Sequence, residues 1–524
     1  MLHQIITVFL AVCLSSVCPL VPRPQHSVSN EETITLTDNA LVRYDPMFRS
    51  QAELLQYEIH RYAGIDLIIA DDAAAKGRKV TIDLVHGRKS WDEEQYGIEM
   101  GSGGICLRAS SEAGAVNAVM ALVQLARLSE MKDGALVMDC WKIEDKPRYE
   151  WRGFMLDEAR HFFGKKKVMK ILDWMALYRM NRFHWHLADV QGWRVEIKKY
   201  PRLATVGGIG NHNDPDAPAK YYTQEEIREI VAYAAARNIR IIPEIDMPGH
   251  ASAAVRAYPE FDGGGSAKVP HYTFNPGKKE TYGFLSDILG EIDALFPSQI
   301  IHIGGDEVSY ANSDWETDGH VQELMRREAL NSLKQVENYF TKRMADSVYM
   351  RCNDVAAWDE VTGAGLDKDR TIVYFWRQNR TDMLQKALDS GYRIVCSPRL
   401  PMYFDYAQDT LQVHGVDWRK FSANTYIKVY EYECTEYDVR YPEHPRILGV
   451  QANLWTERVI SPERLDYMMF PRIAALAETE WTERENKDIE DFNERLKKQL
   501  ELYRRDNIYF CNPFDRDETG EPMR

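Results

Sequence analysis

The chain lacks several of the signatures by which common enzyme and binding classes are recognised. It has no G-x-G-x-x-G stretch, no P-loop and no G-x-S-x-G motif, which argues against a dinucleotide site, a phosphate-binding loop and a serine hydrolase. Its eight cysteines show no C-x-x-C spacing, so neither a zinc cluster nor a dense disulfide framework is expected. Basic residues are outnumbered, and the formal net charge of −15 argues against nucleic-acid binding.

Long hydrophobic segments are also absent, apart from one short run at the N-terminus. Residues 5–18 are mostly apolar, but this run is too short for a convincing membrane span and is typical of a secretory signal. We therefore predict a signal peptide over residues 1–22, no membrane span, and export to the periplasm, the medium or, in a eukaryote, the lysosome. Lipidation of Cys13 or Cys18 is an alternative, although the valine before each cysteine fits it poorly.

The rest of the chain divides into parts with different patterns. Residues 27–145 combine alternating strand-like segments with two helical ones, at 51–62 and 114–128, and a hairpin-like pair around residues 96–109. This mixture predicts a small α+β domain. From residue 146 to residue 510 apolar strands alternate with helical stretches, and residues 511–524 are expected to form a C-terminal tail.

The second part repeats a strand followed by a helix eight times, and two of its predicted helices are long, at residues 321–350 and 462–478. Eight such units predict a (β/α)8 TIM barrel, whereas a doubly wound open sheet would have no reason to stop at eight. The predicted fold is therefore α/β, a (β/α)8 TIM barrel preceded by the small α+β domain. In such a barrel the chemistry lies at the carboxyl ends of the strands.

Residues 299–308 read Gln-Ile-Ile-His-Ile-Gly-Gly-Asp-Glu-Val and place two adjacent carboxylates, Asp306 and Glu307, after a buried strand. The two glycines would allow a ligand to approach the backbone closely. A solvated acidic loop is the simplest alternative. Against that alternative, polar or aromatic residues follow nearly every predicted strand and favour a cleft at one end of the barrel: Asp157, Arg160, Asp189, Asp246, His250, Trp358, Asp359, Trp376, Ser397, Trp455 and Glu457.

The residue types at these strand ends indicate which chemistry to expect. His184 and His186 share one face of a strand and could bind a metal together with a carboxylate, but hydrogen bonds inside the barrel explain them better. Carboxylates with tryptophan walls fit glycoside hydrolysis, in which an acid protonates the leaving oxygen. Retaining enzymes usually place two carboxylates about 5 Å apart on opposite sides of the bond. Adjacent residues do not easily bracket a bond in this way, so Glu307 fits the acid and Asp306 needs another role.

Six segments resemble the β-N-acetylhexosaminidases of glycoside hydrolase family 20. The resemblance covers roughly residues 30–505. It implies an exo-acting glycosidase without metal or cofactor, whose partner is a glycan with a terminal N-acetylhexosamine; it does not indicate an oligomeric state. The segments, in order, begin at Trp151 (Trp-Arg-Gly-Phe-Met-Leu-Asp-Glu-Ala-Arg), Phe183 (Phe-His-Trp-His-Leu-Ala-Asp), Pro243 (Pro-Glu-Ile-Asp-Met-Pro-Gly-His), His302 (His-Ile-Gly-Gly-Asp-Glu-Val), Ala357 (Ala-Trp-Asp-Glu) and Gly449 (Gly-Val-Gln-Ala-Asn-Leu-Trp-Thr-Glu).

The resemblance also implies substrate-assisted catalysis, an exception to the scheme with two enzyme carboxylates. The 2-acetamido oxygen of the substrate would attack the anomeric carbon and form an oxazolinium intermediate. Glu307, expected to be buried against tryptophan, would protonate the leaving oxygen and later deprotonate the incoming water. Asp306 would hold the acetamido N–H and balance the developing positive charge.

Other roles are implied by the same resemblance. One departure is Val190, because many members have a second aspartate after the residue that matches Asp189. The implied contacts are Arg152 to the 3- and 4-hydroxyls, Glu457 to the 4- and 6-hydroxyls, Trp358, Trp376 and Trp455 around the acetamido group, Tyr403 to the acetamido oxygen, Asp405 to a hydroxyl, and Asp189 with His250 in support of Glu307.

Alternatives of two kinds stay open at the level of sequence. A catalytically silent glycan-binding barrel would fit the fold, and loss of Asp306 or Glu307 would have favoured it, but both residues are present. Within the enzyme class, a lacto-N-biosidase or a hydrolase of 6-sulfated N-acetylglucosamine would be distinguished by the loops after the strands, such as residues 207–220 and 263–271.

Overall fold

The computed structural model describes residues 17–79, 81–414, 422–434 and 444–522. The chain forms two compact units. The first runs up to Lys146 and also includes Asp488–Lys498, whereas the second consists of Pro147–Lys487 and Gln499–Arg524. The division at Lys146 lies next to the predicted end of the α+β domain, but the return of residues 488–498 to the first unit has no signal in the local sequence pattern.

The first unit is an α+β fold built on one eight-stranded sheet, which confirms the predicted class. Its elements are β1 (His26–Leu36), β2 (Leu41–Tyr44), α1 (Arg49–Ala63), β3 (Ile68–Asp71), α2 (Asp72–Ala75), β4 (Ile82–His86), β5 (Tyr96–Gly101), β6 (Gly104–Ala109), α3 (Glu112–Arg127), β7 (Glu130–Lys132) and β8 (Ala135–Asp145). The sheet order is β1-β8-β5-β6-β4-β2-β3, with β7 paired to β8. β5 and β6 form the antiparallel hairpin that the sequence predicts.

Helix α3 forms the centre of the core in the first unit. It is apolar on nearly all sides and buried from Gly114 to Arg127, as expected for a helix enclosed by a sheet and a neighbouring helix. It begins after Ser111, whose hydroxyl accepts the backbone N–H of Gly114 at 3.2 Å and so satisfies one of the free donors of the first turn.

The residues just after the N-terminal apolar run are part of this core. Leu20 and Val21 are fully buried. The backbone N–H of Val21 donates to Oε1 of Gln124 at 2.7 Å, and Nε2 of Gln124 donates back to the Val21 carbonyl at 2.8 Å. Removal of a signal peptide that extended to residue 22 would remove these contacts, and the boundary at residue 22 stays a prediction. Most of the apolar run, including Cys13, lies outside the described residues.

The second unit is a closed barrel of eight parallel strands, as predicted. The strands are β9 (Trp151–Asp157), β10 (Arg182–His186), β11 (Arg240–Glu244), β12 (Ile300–His302), β13 (Asp354–Trp358), β14 (Thr371–Phe375), β15 (Arg393–Cys396) and β16 (Ile447–Leu454). They follow one another around the barrel in chain order, and β16 closes it by pairing with β9. All eight strands therefore end at the same face, where the carboxyl ends can assemble one site.

The helices of this part of the chain lie between and after the strands. Among the described residues, none is long and apolar enough to cross a bilayer. They are α4 (Lys165–Leu177), α5 (Arg202–Thr205), α6 (Gln224–Ala235), α7 (Ser252–Ala257), α8 (Lys279–Leu295), α9 (Gly319–Arg327), α10 (Leu333–Tyr349), α11 (Thr381–Asp389), α12 (Arg399–Met402), α13 (Tyr426–Glu431), α14 (Pro462–Met469), α15 (Arg472–Trp481) and α16 (Ile489–Arg505).

The two long predicted helices are wrong, because each is divided into two. Residues 321–350 form α9 and α10. Between them Ala329 has a left-handed backbone with φ 53°, and Ser332 starts α10 by accepting the N–H of Gln335. Residues 462–478 are divided between α14 and α15 because Pro471 lacks an N–H and forces the preceding Phe470 into an extended conformation.

The predicted C-terminal tail packs as an integral part of the second unit. The carboxylate of Glu521 accepts the backbone N–H of Val413 at 2.6 Å and that of His414 at 3.1 Å. It also pairs with Arg464 at 3.1 Å. The segment that leads from β15 toward residue 414 is therefore held by the last described residues of the chain.

Candidate active site

A cavity of about 440 Å³ opens at the carboxyl ends of the barrel strands. Most of the residues singled out from the sequence line it, which is the placement that the barrel predicts. The lining residues are Arg160, His212, His250, Asp306, Glu307, Trp358, Trp376, Arg399, Tyr403, Asp405, Tyr406, Trp455, Glu457 and Arg458.

The two glycines before the acidic pair bend the chain out of β12. Gly304 and Gly305 have φ of 66° and 91°, which glycine adopts without strain. A Cβ on Gly304 would lie 1.7 Å from Oδ1 of Asp246, and the Gly305 N–H donates to the same oxygen at 3.2 Å. The close approach at Gly304 is therefore made by a neighbouring carboxyl group of the protein, and the approach of a ligand to these glycines stays a prediction.

The two adjacent carboxyl groups have different environments. The side chain of Asp306 is 13% exposed, whereas that of Glu307 is 50% exposed. Burial raises the pKa of Asp306 well above its ordinary value, and the nearby Asp246 adds to this effect while His250 opposes it. The predicted burial of Glu307 against tryptophan is not found. Glu307 instead has a left-handed backbone, with φ 49° and ψ 19°, and its side chain lines the open cavity.

His250 connects this pair to a buried aspartate. Its Nε2 lies 3.6 Å from Oδ2 of Asp306 and 3.8 Å from Oε2 of Glu307. Its Nδ1 lies 3.1 Å from Oδ1 of Asp189, whose other oxygen is 2.9 Å from Nε2 of His186. Burial alone would lower the pKa of His250, but the charges of Asp189 and Asp306 outweigh it and raise the pKa to about 9. His250 is thus a cation beside both carboxyl groups, and Asp189 acts on them through it.

Arg160 lines the cavity, together with Arg399 and Arg458, whereas Arg152 does not, so the assignment of sugar contacts to Arg152 is wrong. Arg152 is buried near the start of β9, where Nε donates to the carbonyl of Arg179 at 2.8 Å and Nη1 to that of Tyr149 at 2.7 Å. The start of a parallel strand lies at the barrel end opposite to the site. Arg160 follows the end of the same strand, and its Nη2 lies 2.8 Å from Asp189 and 3.7 Å from Glu457.

Four aromatic rings form one side of the cavity. The rings of Trp376 and Tyr403 are nearly parallel, with an interplanar angle of 15° and centroids 6.3 Å apart. Trp455 lies 6.1 Å from Tyr403 and 5.8 Å from Trp358, in tilted arrangements. Trp358 is almost fully buried, and its Nε1 donates to Oε1 of Glu244 at 2.9 Å. These rings enclose an apolar pocket beside Asp306.

A second acidic pair lies at the other side of the aromatic rings. Asp405 is 7% exposed and Glu457 has a side chain that is 35% exposed. Burial raises the pKa of Asp405 to about 8, and the negative charge of Glu457 contributes. At neutral pH Asp405 is therefore a neutral carboxyl group that can both donate and accept a hydrogen bond, whereas an ionised carboxylate can only accept.

Glu244 is the centre of a buried network below the cavity. Its carboxylate lies 2.9 Å from Nε2 of His184, 2.6 Å from Nδ1 of His186 and 3.1 Å from Nδ1 of His302, and it also accepts the indole N–H of Trp358. The predicted hydrogen bonding of His184 and His186 inside the barrel is confirmed. His184, Glu244 and His302 are close enough to hold a metal, but this carboxylate is already engaged by four neighbours.

Sequence reasoning did not single out four residues that line the cavity, His212, Arg399, Tyr406 and Arg458. Three others were seen but given no role. Arg160 and Asp246 were noted only as polar residues at strand ends, and Glu360 was part of a quoted motif. The available signal was position, because each follows a strand that ends at the cavity. Their contacts, with Asp189, Gly304 and Trp376 respectively, join segments far apart in the chain.

Comparison with known proteins agrees with this geometry. The family model for the catalytic domain of glycosyl hydrolase family 20 matches residues 149–484, and the model for domain 2 of the same family matches residues 17–146. A β-hexosaminidase of Porphyromonas gingivalis is 32% identical over 91% of this chain, and the chain spans 62% of that relative's length. A β-hexosaminidase of Vibrio furnissii is 33% identical over 87% of this chain and 76% of its own length.

A solved structure gives the same result. The crystal structure of the family 20 exo-β-N-acetylglucosaminidase of Vibrio harveyi in complex with N-acetylglucosamine has a TM-score of 0.87 at 31% identity. The match covers 96% of this chain and 79% of that chain. The predicted family is therefore confirmed: the chain belongs to glycosyl hydrolase family 20 and is a glycoside hydrolase.

Proposed function

We propose that this enzyme removes single β-linked N-acetylhexosamine residues from the non-reducing ends of glycans, by substrate-assisted catalysis with retention of configuration. The observation that carries the proposal is the pairing of a half-exposed Glu307 with a largely buried Asp306 at the edge of an aromatic pocket. The relatives named as β-hexosaminidases and the solved relative with bound N-acetylglucosamine support the same substrate.

The first step uses the asymmetry of the acidic pair. A 2-acetamido group in the aromatic pocket would lie beside Asp306, which accepts its N–H and directs the acetamido oxygen to the anomeric carbon. The bond from that oxygen to the anomeric carbon forms while the glycosidic bond breaks, and Glu307 transfers its proton to the leaving oxygen. The positive charge on the oxazolinium ring is balanced by Asp306 in its carboxylate form, which the neighbouring His250 and the developing charge both favour.

The second step reverses the roles on the same face of the sugar. Water enters where the leaving group departed, Glu307 removes its proton, and the oxazolinium ring opens with return of the acetamido group. Two displacements at one carbon give net retention. Adjacency of the two carboxyl groups, which is unsuited to an opposed acid and nucleophile, suits this mechanism because the nucleophile belongs to the substrate.

The polar lining of the cavity supports binding of one terminal sugar. Asp405, Glu457 and Arg160 line the same cavity as the acidic pair, with Arg160 3.7 Å from Glu457, and they would bind the hydroxyls of that sugar. The relatives named as β-hexosaminidases favour removal of a monosaccharide over the activity of a lacto-N-biosidase. We further propose that the enzyme acts after export, on the basis of the N-terminal apolar run.

A panel of aryl β-glycosides tests the proposal directly. N-acetylglucosaminide and N-acetylgalactosaminide should be hydrolysed, the corresponding glucoside without an acetamido group should hardly react, and the first product detected by NMR should be the β-anomer. Rapid hydrolysis of the glucoside, or an α-anomer as first product, would contradict the mechanism. The lacto-N-bioside and 6-sulfated substrates in the same panel distinguish the alternative specificities, and binding without any turnover would favour a glycan-binding barrel.

A further inference from the structure

The cavity wall formed by Trp376 is held in place by two acidic residues that do not line the cavity. Nε1 of the Trp376 indole donates to Oε2 of Glu360 at 3.1 Å. The backbone N–H groups of Trp376 and Arg377 both lie 3.3 Å from Oδ2 of Asp359. Asp359 therefore fixes the position of the Trp376 backbone, and Glu360 fixes the orientation of the Trp376 indole ring.

Both acidic side chains are themselves constrained. Nε of Arg377 donates to Oδ1 of Asp359 at 2.5 Å, and its Nη1 lies 3.5 Å from Oε1 of Glu360. The side chain of Asp359 is 1% exposed and that of Glu360 is 11% exposed. Because the acceptor is nearly excluded from solvent, water cannot readily replace it if it is lost. The orientation of the Trp376 indole is thus held by a hydrogen bond to Glu360, and Glu360 is itself held by Arg377.

The fixed orientation of the Trp376 ring affects the shape of the cavity, because the ring lines it. Trp376 is only partly buried, and one of its faces borders the pocket beside Tyr403. Another ring of the same aromatic group, Trp358, is held in the same manner by Glu244 at 2.9 Å. The positions of these rings are therefore set by buried carboxyl groups behind them, and a rotation of the partly exposed Trp376 ring would change the shape of the pocket.

We propose that Glu360 is a specificity-determining positioning residue, which fixes the largest N-acyl group that the enzyme accepts by holding the indole of Trp376 in the pocket wall. The inference rests on the proposed function, because it takes the 2-acetamido group to occupy this pocket. A pocket with rigid apolar walls rejects one additional methylene by about 10- to 200-fold in kcat/KM. Without the hydrogen bond from Trp376 to Glu360, the indole ring can rotate, and the preference for the N-acetyl over a larger N-acyl group falls.

Three variants test this inference. E360A removes the acceptor, E360M removes it while filling the space, and E360Q keeps a carbonyl acceptor at the same position. The measured quantity is the ratio of kcat/KM for aryl N-acetyl- and N-propionyl-glucosaminides. Each ratio is taken from one preparation, so it does not depend on the fraction of folded enzyme, and the pair E360M and E360Q suffices if E360A fails to fold.

We expect the ratio to fall at least about fivefold in E360A and E360M and to stay within about twofold of the wild type in E360Q. An unchanged ratio in E360M, or an equal fall in E360Q, would overturn the inference, the latter because a retained acceptor would then have had no effect. Failure of the proposed function has a different result, since the wild-type enzyme would then hydrolyse neither substrate.

Discussion

The imidazole of His250 is bound by Asp189 on one side and faces the acidic pair on the other. Its Nδ1 lies 3.1 Å from Asp189, and its Nε2 lies within 3.8 Å of both Asp306 and Glu307. A cation placed in this way stabilises the ionised form of either acid. The charge state of His250 therefore couples the buried aspartate to the reacting groups.

Replacement of Asp189 tests this coupling. In D189N the negative charge is lost, so the pKa of His250 should fall from about 9 toward its ordinary value of 6.5. An NMR titration of the ring measures it, and the alkaline limb of the kcat/KM profile should move in the same direction. A pKa that stays near 9 in D189N would mean that Asp306 alone maintains the cation.

Glu307 is predicted to act on the leaving group. E307Q should lower kcat by about 10² to 10⁴ for substrates with a poor leaving group, since a general acid contributes on this order. The loss should be much smaller for an aryl leaving group of low pKa, which needs no proton. Steady-state kinetics over a series of phenols gives the comparison, and an equal loss over the whole series would exclude Glu307 as the acid.

Asp306 is predicted to act on the acetamido group. D306N should weaken binding of a thiazoline that resembles the oxazolinium ring by about tenfold or more, because a charge-assisted hydrogen bond is replaced by a neutral one. Calorimetric titration measures the affinity. Binding of simple sugar alcohols without the acetamido group serves as the control and should not change, whereas unaltered thiazoline binding would remove Asp306 from this role.

The two arginines that flank β9 provide a matched pair of variants. R160Q should raise KM about tenfold or more, because Arg160 lines the cavity near Glu457. It should also lower the free energy of unfolding, since it leaves the buried Asp189 without this partner. R152Q should instead lower the free energy of unfolding by about 3–5 kcal/mol, since it removes a buried charge beside Glu480. KM of the folded R152Q enzyme should match the wild type. An increase in KM for R152Q alone would restore the original assignment.

Asp405 makes a prediction about stability and pH. Its pKa is raised to about 8 in the folded state, so the folded protein holds a proton that the unfolded chain loses above about pH 4. Stability is consequently lost as the pH rises from 4 through 8. D405N cannot ionise, and it should be more stable than the wild type by roughly 1–3 kcal/mol at pH 8. Denaturant unfolding at pH 8 and pH 4 checks this, with no difference expected at pH 4.

The eight strands could be predicted because each buried strand is a short apolar run bounded by loops, and this pattern is local. Most cavity residues followed from the same pattern, since polar residues after such runs share one face of the barrel. The division of residues 462–478 was also readable from Pro471, which ends a helix by its own chemistry. The start of α10 was readable from Ser332, because serine is a preferred residue before the first turn of a helix.

What could not be predicted depended on contacts between distant segments. Arg152 and Arg160 both belong to one matched segment, and only the direction of β9 shows which of them reaches the cavity. The burial of Asp306 and the exposure of Glu307 follow from a bend at Gly304 against Asp246, which follows the end of another strand, β11. No pattern within residues 299–308 contains this information.

The anchoring of residues 413 and 414 by Glu521 has a practical consequence for work on this enzyme. The segment from β15 to residue 414 includes Tyr403 and Asp405 of the active site, and its end is hydrogen-bonded to Glu521. Contacts at the end of the described chain therefore help to hold this part of the active site. Shortened versions should keep residues through 521. Immobilisation or a fused partner should leave Glu521 free to make these contacts.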